Sequence, residues 1–246
     1  MILALLLALL IGLSLGLLGS GGSIITLPVM VYVAGIPVSQ AVGMSLVVVG
    51  GTSAVGSYLR SRQGEFAGRP AVIFALSGMI GAFFGAKLTH LLAPNVLMLV
   101  FGILMGGVGS ALLRRCTVES GIKSCHLWRC LGVGAAVGVM TGFLGVGGGF
   151  LILPALVLFA GVEIKPAIGT SLAIIAFNSL AGVAGQLRYV SINWSLTLGF
   201  LAAAVAGMFG GQMLVSKLSS QLLQRGFAWA VIALGVLLLA KNATGF

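Results

Sequence analysis

The chain contains very little charge. Aspartate is absent, and the only acidic residues among its 246 positions are Glu65, Glu119 and Glu163. Charged residues make up 7% of the chain, hydrophobic residues make up 59%, and the mean hydropathy is +1.22. A soluble domain needs far more charge to cover its surface. The composition therefore excludes a soluble protein and predicts an integral membrane protein surrounded by lipid.

The shortage of acids also argues against catalysis. A serine nucleophile needs a base that a third group orients, and neither His90 nor His126 has an aspartate to do so. No glycine cluster reads GxxxxGK[ST], so no nucleotide site is evident. We therefore expect no catalytic residues and no cofactor, and an intramembrane hydrolase or transferase is the weakest alternative.

Cysteine is scarce as well. Cys116, Cys125 and Cys130 lie in or beside one central polar stretch together with His126. Their spacing matches no standard zinc pattern, so we expect no metal site and free thiols on a cytosolic face.

The formal net charge is +10. The basic residues stand singly or in pairs between apolar segments, as the positive-inside rule expects for a membrane protein. We therefore predict no nucleic-acid partner.

Glycine, in contrast, is abundant and patterned. The stretch GLLGSGGSIITLP at 16–28 returns as GFLGVGGGFLILP at 142–154, an offset of 142 − 16 = 126 positions. The same offset relates further matches outside the motif, including Gly35 with Gly161, Ser53 with Ser179 and Arg62 with Arg188. Chance does not keep one register this long, so the sequence predicts two homologous repeats at 1–113 and 130–246, joined by a linker at 114–129.

Each repeat contains five apolar segments, which predicts an all-α protein with about ten membrane segments. They lie at 1–18, 24–34, 41–59, 71–92 and 96–113, and at 130–144, 150–160, 167–187, 194–215 and 222–240. The second segment of each repeat is short and follows the glycine motif, as a broken helix would.

Five crossings per repeat would invert the second repeat relative to the first. Ten of the thirteen Lys and Arg residues, among them those of the linker, would then lie on one side of the membrane, which would be cytoplasmic. If the short segments do not cross the membrane, the chain has eight spans in parallel repeats. Nine of these basic residues then lie on one side of the membrane and four on the other. We favour the inverted arrangement.

Each glycine motif is followed by a proline and then by Ala-x-Gly-x-Ser-Leu, at 41–46 and 167–172. This duplicated pattern resembles the TauE/SafE family of sulfite and sulfonate exporters over nearly the whole chain. The resemblance implies a multi-pass protein of a prokaryotic inner membrane that moves a small sulfur-containing anion such as sulfite or sulfoacetate. The first copy departs from the commoner glycine-rich form by its serines.

The glycine breaks are the first candidates for substrate binding. In lipid, irregular backbone must be buried in protein or line a wet cavity, and a short helix after the break offers free N–H groups to an anion. We expect the two breaks to face each other near the midplane. The candidate residues are Gly19, Ser20, Gly21, Gly22, Ser23, Gly145, Gly147, Gly148 and Gly149. The alternative is that glycines only let helices pack, which accounts for the GxxxG pairs that begin at Gly12, Gly81 and Gly207.

Polar residues inside the following segments are the next candidates, since hydroxyl and amide groups can hold an oxyanion loosely. They are Ser45, Thr52, Ser53, Thr170, Ser171, Asn178 and Ser179, with Arg188 at the end of its segment. Interhelical hydrogen bonding is the alternative role. Residues that could gate or assist are Arg62, Lys87, Gln186 and Gln212.

Together these patterns predict a secondary transporter, an exporter that works by alternating access between two repeats. An anion channel or uniporter for another small anion is the alternative. The exposed glycine faces are compatible with a homodimer.

Overall fold

The helices of the protein lie close to the predicted apolar segments. A computed structural model describes residues 2–18, 22–89, 96–97, 99–100, 102–103, 106–107, 127–145, 148–187, 189–215 and 233. Within these ranges we number the main helices α1 (Ile2–Leu18), α2 (Ser23–Pro28), α3 (Val38–Ser61), α4 (Gly68–Leu88), α5 (Leu127–Leu144), α6 (Gly149–Phe159), α7 (Ile164–Gln186) and α8 (Trp194–Val215). None of the described residues is in a β-strand, which confirms the all-α prediction.

Four of these helices are long and apolar enough to cross a membrane, namely Val38–Ser61, Gly68–Leu88, Lys165–Gln186 and Trp194–Leu214. A hydrocarbon core of about 30 Å needs about 20 helical residues at a rise of about 1.5 Å each. Shorter apolar helices lie at Leu5–Leu17, Ser23–Val33 and Cys130–Leu144. A multi-pass membrane protein is therefore confirmed.

The count of ten segments stays a prediction. Predicted segment 96–113 is described at eight positions, all helical, and predicted segment 222–240 is described only at 233. Linker 114–129 lies outside the described residues except for 127–129, which belong to α5.

The helix bounds of the two halves repeat at the spacing of the glycine motif. A π-helical stretch, Val29–Val33, continues α2, so this short helix spans 23–33 while α6 spans 149–159, and 149 − 23 = 159 − 33 = 126. Helices α3 and α7 begin at 38 and 164, and helices α4 and α8 begin at 68 and 194, again 126 apart. Each half thus has the same order of one helix, a short helix and two long helices.

Each short helix carries a proline, which has no N–H to donate and crowds the preceding turn. In the first half the helix changes to π geometry directly after Pro28. In the second half the α-helix continues past Pro154 to Phe159. The repeats therefore share positions but differ in local winding.

The first helix of each half packs against the fourth helix of the other half. Helix α1 lies on α8 and helix α5 lies on α4, backbone against backbone, at glycines where a Cβ would have no room. The contacts pair Gly12 with Ala204, Gly16 with Met208, Gly138 with Gly78 and Gly142 with Ala82. Gly81 and Gly85 meet α5, and Gly207 and Gly211 meet α1, in the same way. The packing role of the GxxxG pairs is confirmed.

These contacts also set the relative direction of each pair. Gly12 meets Ala204 and Gly16 meets Met208, so positions rise together along α1 and α8. Gly138 meets Gly78 and Gly142 meets Ala82, so residue numbers also rise together along α5 and α4. Both pairs are therefore parallel.

Helices α3 and α7 are the most buried of the four long helices. They run in opposite directions, because Leu46 meets Gly182, Gly50 meets Ser179 and Gly56 meets Leu172.

Two further helix pairs connect α3 and α7 to α8 and α4. Gly51 meets Leu201 and Gly56 meets Met208, so α3 is parallel to α8. Gly78 meets Asn178, and the Phe83 carbonyl lies beside Gly185, so α4 is parallel to α7.

The outer face of α4 is a continuous apolar stripe. Val72, Leu76, Ile80 and Phe84 follow one another every fourth residue, and each is 59–65% exposed. Side chains four residues apart share one helix face, so this face of α4 is suited to contact lipid.

Cys130 lies at the start of α5 and is buried. It is disulfide-bonded to a partner outside the described residues, so the prediction of a free thiol is wrong for Cys130. The other two cysteines lie outside the described residues. No group of three potential metal ligands occurs among the residues that the structure describes.

Candidate functional site

The first glycine break follows α1 and is attached to the end of α3. The Gly16 carbonyl accepts a hydrogen bond of 3.1 Å from Arg60 Nη2. Gly22 precedes α2 and lies so close to the Ile11 carbonyl of α1 that a Cβ there would collide with backbone. Ser23 opens α2 and is buried. Gly19, Ser20 and Gly21 lie outside the described residues.

The second break follows α5 and needs glycine for two reasons. Gly145 and Gly148 have φ angles of +66° and +60°, in the left-handed region that favours glycine. A Cβ on Gly148 would also collide with Thr141 Oγ1. Gly149 then opens α6, and Gly147 lies outside the described residues.

Two hydroxyl groups hold the second break in place. Ser45 of α3 donates to the Gly145 carbonyl, and Thr89, after α4, donates to the Phe143 carbonyl at 2.8 Å. Carbonyls at the end of a helix have no partner within the helix, so these bonds satisfy groups that would otherwise be buried unpaired. Ser45 thus has a structural role at the break.

Helix α3 holds the backbone of the two glycine motifs at two separate points. The second break is bound at Ser45 and the first at Arg60, which are 60 − 45 = 15 residues apart. At about 1.5 Å per residue the two anchoring points are about 22 Å apart along the helix. The expectation that the two breaks face each other stays a prediction, and the short helices α2 and α6, which follow the breaks, contact each other.

Three buried polar side chains lie on the two helices that cross, and we call them the crossing cluster: Ser53 on α3, and Asn178 and Ser179 on α7. Each is at most 1% exposed. The Ser53 and Ser179 hydroxyls and both amide atoms of Asn178 have no hydrogen-bond partner among the described residues. An unpaired buried polar group costs about 1–3 kcal/mol, so this cluster is arranged to accept a partner.

Small residues bring the crossing cluster together. Ser179 lies against Gly50 of α3, and the Asn178 amide lies where Gly78 of α4 leaves space, 2.6 Å from where a Cβ of Gly78 would be. Any larger residue at these glycines would fill the space beside the polar groups. The crossing therefore keeps three helices in close contact around the cluster.

The other predicted hydroxyls are hydrogen-bonded near their own positions. Thr52 donates to the Val48 carbonyl at 2.6 Å and Ser171 donates to the Ile168 carbonyl at 2.8 Å. Thr170 accepts a bond of 2.8 Å from the Ala67 N–H, which fixes the loop between α3 and α4 onto α7. Their nearest role is structural, since Ser and Thr commonly return a bond to the preceding turn.

Two predicted cations lie away from the buried cluster. Arg62 is exposed and donates to the Tyr58 hydroxyl at 2.7 Å, with its guanidinium 5.3 Å from the ring centroid. Lys87 is exposed on α4 with its ammonium 4.6 Å from the Phe83 ring centroid. Such cation–π contacts stabilise exposed cations beside apolar surface. Arg188 lies outside the described residues.

Unlike these two cations, the two predicted glutamines have buried amide groups. Gln186 is fully buried at the end of α7, and neither its amide nitrogen nor its amide oxygen has a partner in the described part of the chain. The Gln212 amide nitrogen is also buried without a described partner, and Gln212 lies beside Gly16 of the first break. One glutamine ends α7 and the other lies near the first break.

Sequence reasoning missed Arg60. In the sequence it is one of several basic residues between apolar segments, and a comparison of equivalent positions in the two repeats favours Arg62 and Arg188 instead. Arg60 is 3% exposed and pairs with Glu65 at 2.6 Å. Its repeat counterpart, at 60 + 126 = 186, is Gln186. That mismatch between a charged and a neutral side chain was the available signal.

A family model described as "Sulfite exporter TauE/SafE" matches residues 4–238. The chain belongs to the TauE/SafE family. A relative in this comparison, from Xylella fastidiosa, bears the description "Probable membrane transporter protein" and is 35% identical over 243 residues, which cover 95% of this chain and 92% of the relative. YdhB of Bacillus subtilis has the same description and is 26% identical over 237 residues, which cover 94% and 96%. No solved structure matches the chain significantly.

The predicted resemblance to the TauE/SafE family and the predicted class of membrane transporter are thus confirmed. The names of these relatives state a transporter and no substrate.

Proposed function

We propose that this TauE/SafE protein is a secondary transporter that exports a small sulfur-containing anion, such as sulfite or a sulfonate, and that the crossing cluster binds it. The observation that carries the proposal is the set of unpartnered polar atoms of Ser53, Asn178 and Ser179, buried between the two repeats. Hydroxyl and amide N–H groups donate to an oxyanion without holding it by charge. A carrier needs this balance, because the anion must also leave.

Alternating access requires two halves that can exchange roles, and we propose that the repeats are inverted. Helix α3 is antiparallel to α7, while α8 is parallel to α3 and α4 is parallel to α7. Helix α1 is parallel to α8 and α5 to α4. Each of α1, α3 and α4 therefore runs opposite to its repeat counterpart, which supports this arrangement.

The same directions support a crossing by the short helices. Helices α1 and α3 run the same way, so the chain must return between them, through α2 and its π-helical continuation. Together with the glycine motif this segment is long enough to cross the membrane as a broken helix. The proposed side for the loop between α3 and α4 is cytoplasmic, in the inner membrane, because ten of thirteen basic residues share that side in this topology.

The proposal is tested by flux in proteoliposomes that contain the purified full chain. We expect uptake of ³⁵S-labelled sulfite to saturate with concentration and to accelerate when unlabelled sulfite or sulfoacetate is trapped inside. A current that rises without saturation would support the channel alternative. Absence of flux for sulfite, sulfoacetate, sulfate and chloride would contradict a small-anion transporter altogether.

A double variant assigns the flux to the crossing cluster. Ser53→Ala with Ser179→Ala removes the two hydroxyls that have no described partner. We expect this variant to remain folded and to have a higher KM for sulfite. The matched control is Thr52→Val, whose hydroxyl is already bonded to the Val48 carbonyl. An unchanged KM in the double variant would place the substrate elsewhere.

A further inference from the structure

Arg60 is the one buried cation among the side chains that the structure describes. Arg62, Arg69, Lys87 and Lys165 are exposed, whereas Arg60 is 3% exposed in the last turn of α3. Removing a guanidinium from water costs several kcal/mol unless its donors are paired. Its surroundings therefore decide what this residue can bind.

The guanidinium is only partly satisfied. Its Nη1 donates to Glu65 Oε2 at 2.6 Å and its Nη2 donates to the Gly16 carbonyl at 3.1 Å. Its buried Nε finds no acceptor in the described ranges. A guanidinium offers donors in a planar fork that suits carboxylates and other oxyanions, so Arg60 has a spare donor for an additional oxygen.

The partner carboxylate is placed so that it can leave. Glu65 lies in the loop between α3 and α4 with its side chain 25% exposed. The loop backbone is held independently, since the Ala67 N–H bonds to Thr170 and the Glu65 carbonyl packs on Gly169. Release of Arg60 therefore requires only a rotation of the Glu65 side chain into water.

The other repeat has no such pair. At the equivalent positions, 126 residues on, Arg60 is replaced by Gln186 and Glu65 by Ser191. Gln186 is buried at the end of α7 and carries no charge. Among the residues that the structure describes, a buried charge that could attract an anion is therefore found only at Arg60, which touches Gly16.

We propose that Arg60 is an anion-binding residue at the first glycine break, and that Glu65 occupies it as an internal competitor which the oxyanion of the substrate displaces. This inference rests on the proposed function and adds a second, charged binding site to the neutral one at the crossing cluster. Displacement exchanges one anion for another on the same guanidinium, so the buried charge stays paired throughout. The substrate class is an anion with at least two oxygens on one centre, such as sulfite or a sulfonate.

The test uses the full chain in lipid nanodiscs, with sodium sulfite as the probe and sodium chloride of equal ionic strength as the salt control, because chloride has no oxygens. Glu65→Gln removes the competitor but keeps the size of the side chain. We expect its melting temperature to fall without sulfite, because Arg60 loses its counter-ion, and to be restored by sulfite. We also expect the Kd for sulfite, measured by titration calorimetry, to fall at least threefold below wild type.

Two arginine variants complete the test. Arg62→Gln removes an exposed charge two residues away and should bind sulfite as wild type does. Arg60→Lys keeps the charge without the fork and should raise the Kd at least fivefold.

The outcomes separate the two proposals. A Glu65→Gln variant whose Kd for sulfite is unchanged or higher, or whose stability recovers equally in chloride, would show that the ion pair is only structural and would overturn this inference. Transport by wild type would then still stand. Failure of wild type to bind or move any tested anion would contradict both.

Discussion

Arg60 and Gln186 occupy the same position in the two repeats, 126 residues apart, and both are buried at the end of a long helix. Arg60 has a carboxylate and a backbone carbonyl as partners. Gln186 has no described partner for either side-chain atom. Duplicated helices thus end in one charged and one neutral group, so the two ends of the crossing differ in electrostatics despite their common geometry.

This relationship predicts the effect of making the repeats alike. Gln186→Arg alone would bury a cation without a carboxylate, and breaking or omitting one partner of a buried pair costs about 3–5 kcal/mol. The double variant Gln186→Arg with Ser191→Glu restores the partner. The Val190 N–H bonds to the Gln186 carbonyl four residues back, whereas the Glu65 N–H bonds to the Arg60 carbonyl five residues back, and position 191 directly follows Val190. We expect thermal unfolding in detergent to show a large loss for the single variant and recovery in the double. Equal losses would show that the two ends are not equivalent.

A second prediction concerns Asn178 in the crossing cluster. Asn178→Leu replaces an unpartnered buried amide with an apolar side chain of similar size, which relieves a cost of about 1–3 kcal/mol. We expect an unchanged or higher melting temperature together with a KM for sulfite that is about tenfold higher, a loss of about 1.4 kcal/mol in binding. Gain of stability with unchanged transport would instead make Asn178 a packing residue.

A third prediction separates glycines that pack from glycines that do not, within one helix. In α5, Gly138 lies against the backbone of Gly78, whereas Gly132 has open space around it. Gly132→Ala should stabilise by about 0.5–1 kcal/mol through helix propensity. Gly138→Ala should destabilise, because neither backbone can withdraw. Detergent melting curves measure both, and a neutral Gly138→Ala would mean that α4 and α5 are less close than described.

A fourth prediction concerns the second break. Gly148 and Gly35 have similar φ angles, +60° and +68°, but Gly148 is crowded by Thr141 while Gly35 has nothing within 4 Å. Asparagine tolerates the left-handed region better than other side chains. Gly35→Asn should therefore keep expression and transport, whereas Gly148→Asn should lose both. The bulkier Gly148→Val should be at least as severe. Loss at both positions would show that backbone conformation alone decides.

A fifth prediction tests the inverted topology. Gln63 and Ser191 are exposed in equivalent loops of the two repeats, after α3 and after α7. In a background without native cysteines, a membrane-impermeant maleimide applied to intact cells should label Ser191→Cys and not Gln63→Cys. Lysed cells provide the control in which both are labelled. The same result at both positions in intact cells, whether both or neither are labelled, would indicate parallel repeats.

Much of the fold could be read from the sequence, because it depends on local chemistry. Runs such as those in α4 and α8 are long and apolar enough to cross a membrane wherever they lie. The glycine motif and its copy predicted short segments at 24–34 and 150–160, each one residue from the short helices at 23–33 and 149–159. The GxxxG pattern predicted close helix contacts, because absence of a Cβ is a property of the residue itself.

The site could be predicted only in part. The pattern singled out Ser53, Asn178 and Ser179, which the fold buries without a described hydrogen-bond partner. It also placed Ser45 and Thr52 among the candidates, and their hydroxyls are bonded to nearby carbonyls instead. Which hydroxyl is left unpartnered depends on the helix face that a neighbouring helix covers.

The sequence by itself determined that this chain is a duplicated membrane protein of the TauE/SafE family, since hydropathy, spacing and motif are all written along one dimension. The tertiary structure alone decided that Ser45 and Arg60 of α3 hold the backbone of the two glycine motifs at separate points and that Arg60 is buried at one of them. The physical reason is helix direction. Antiparallel crossing of α3 and α7 sends equivalent residues to opposite ends, and no local pattern encodes that.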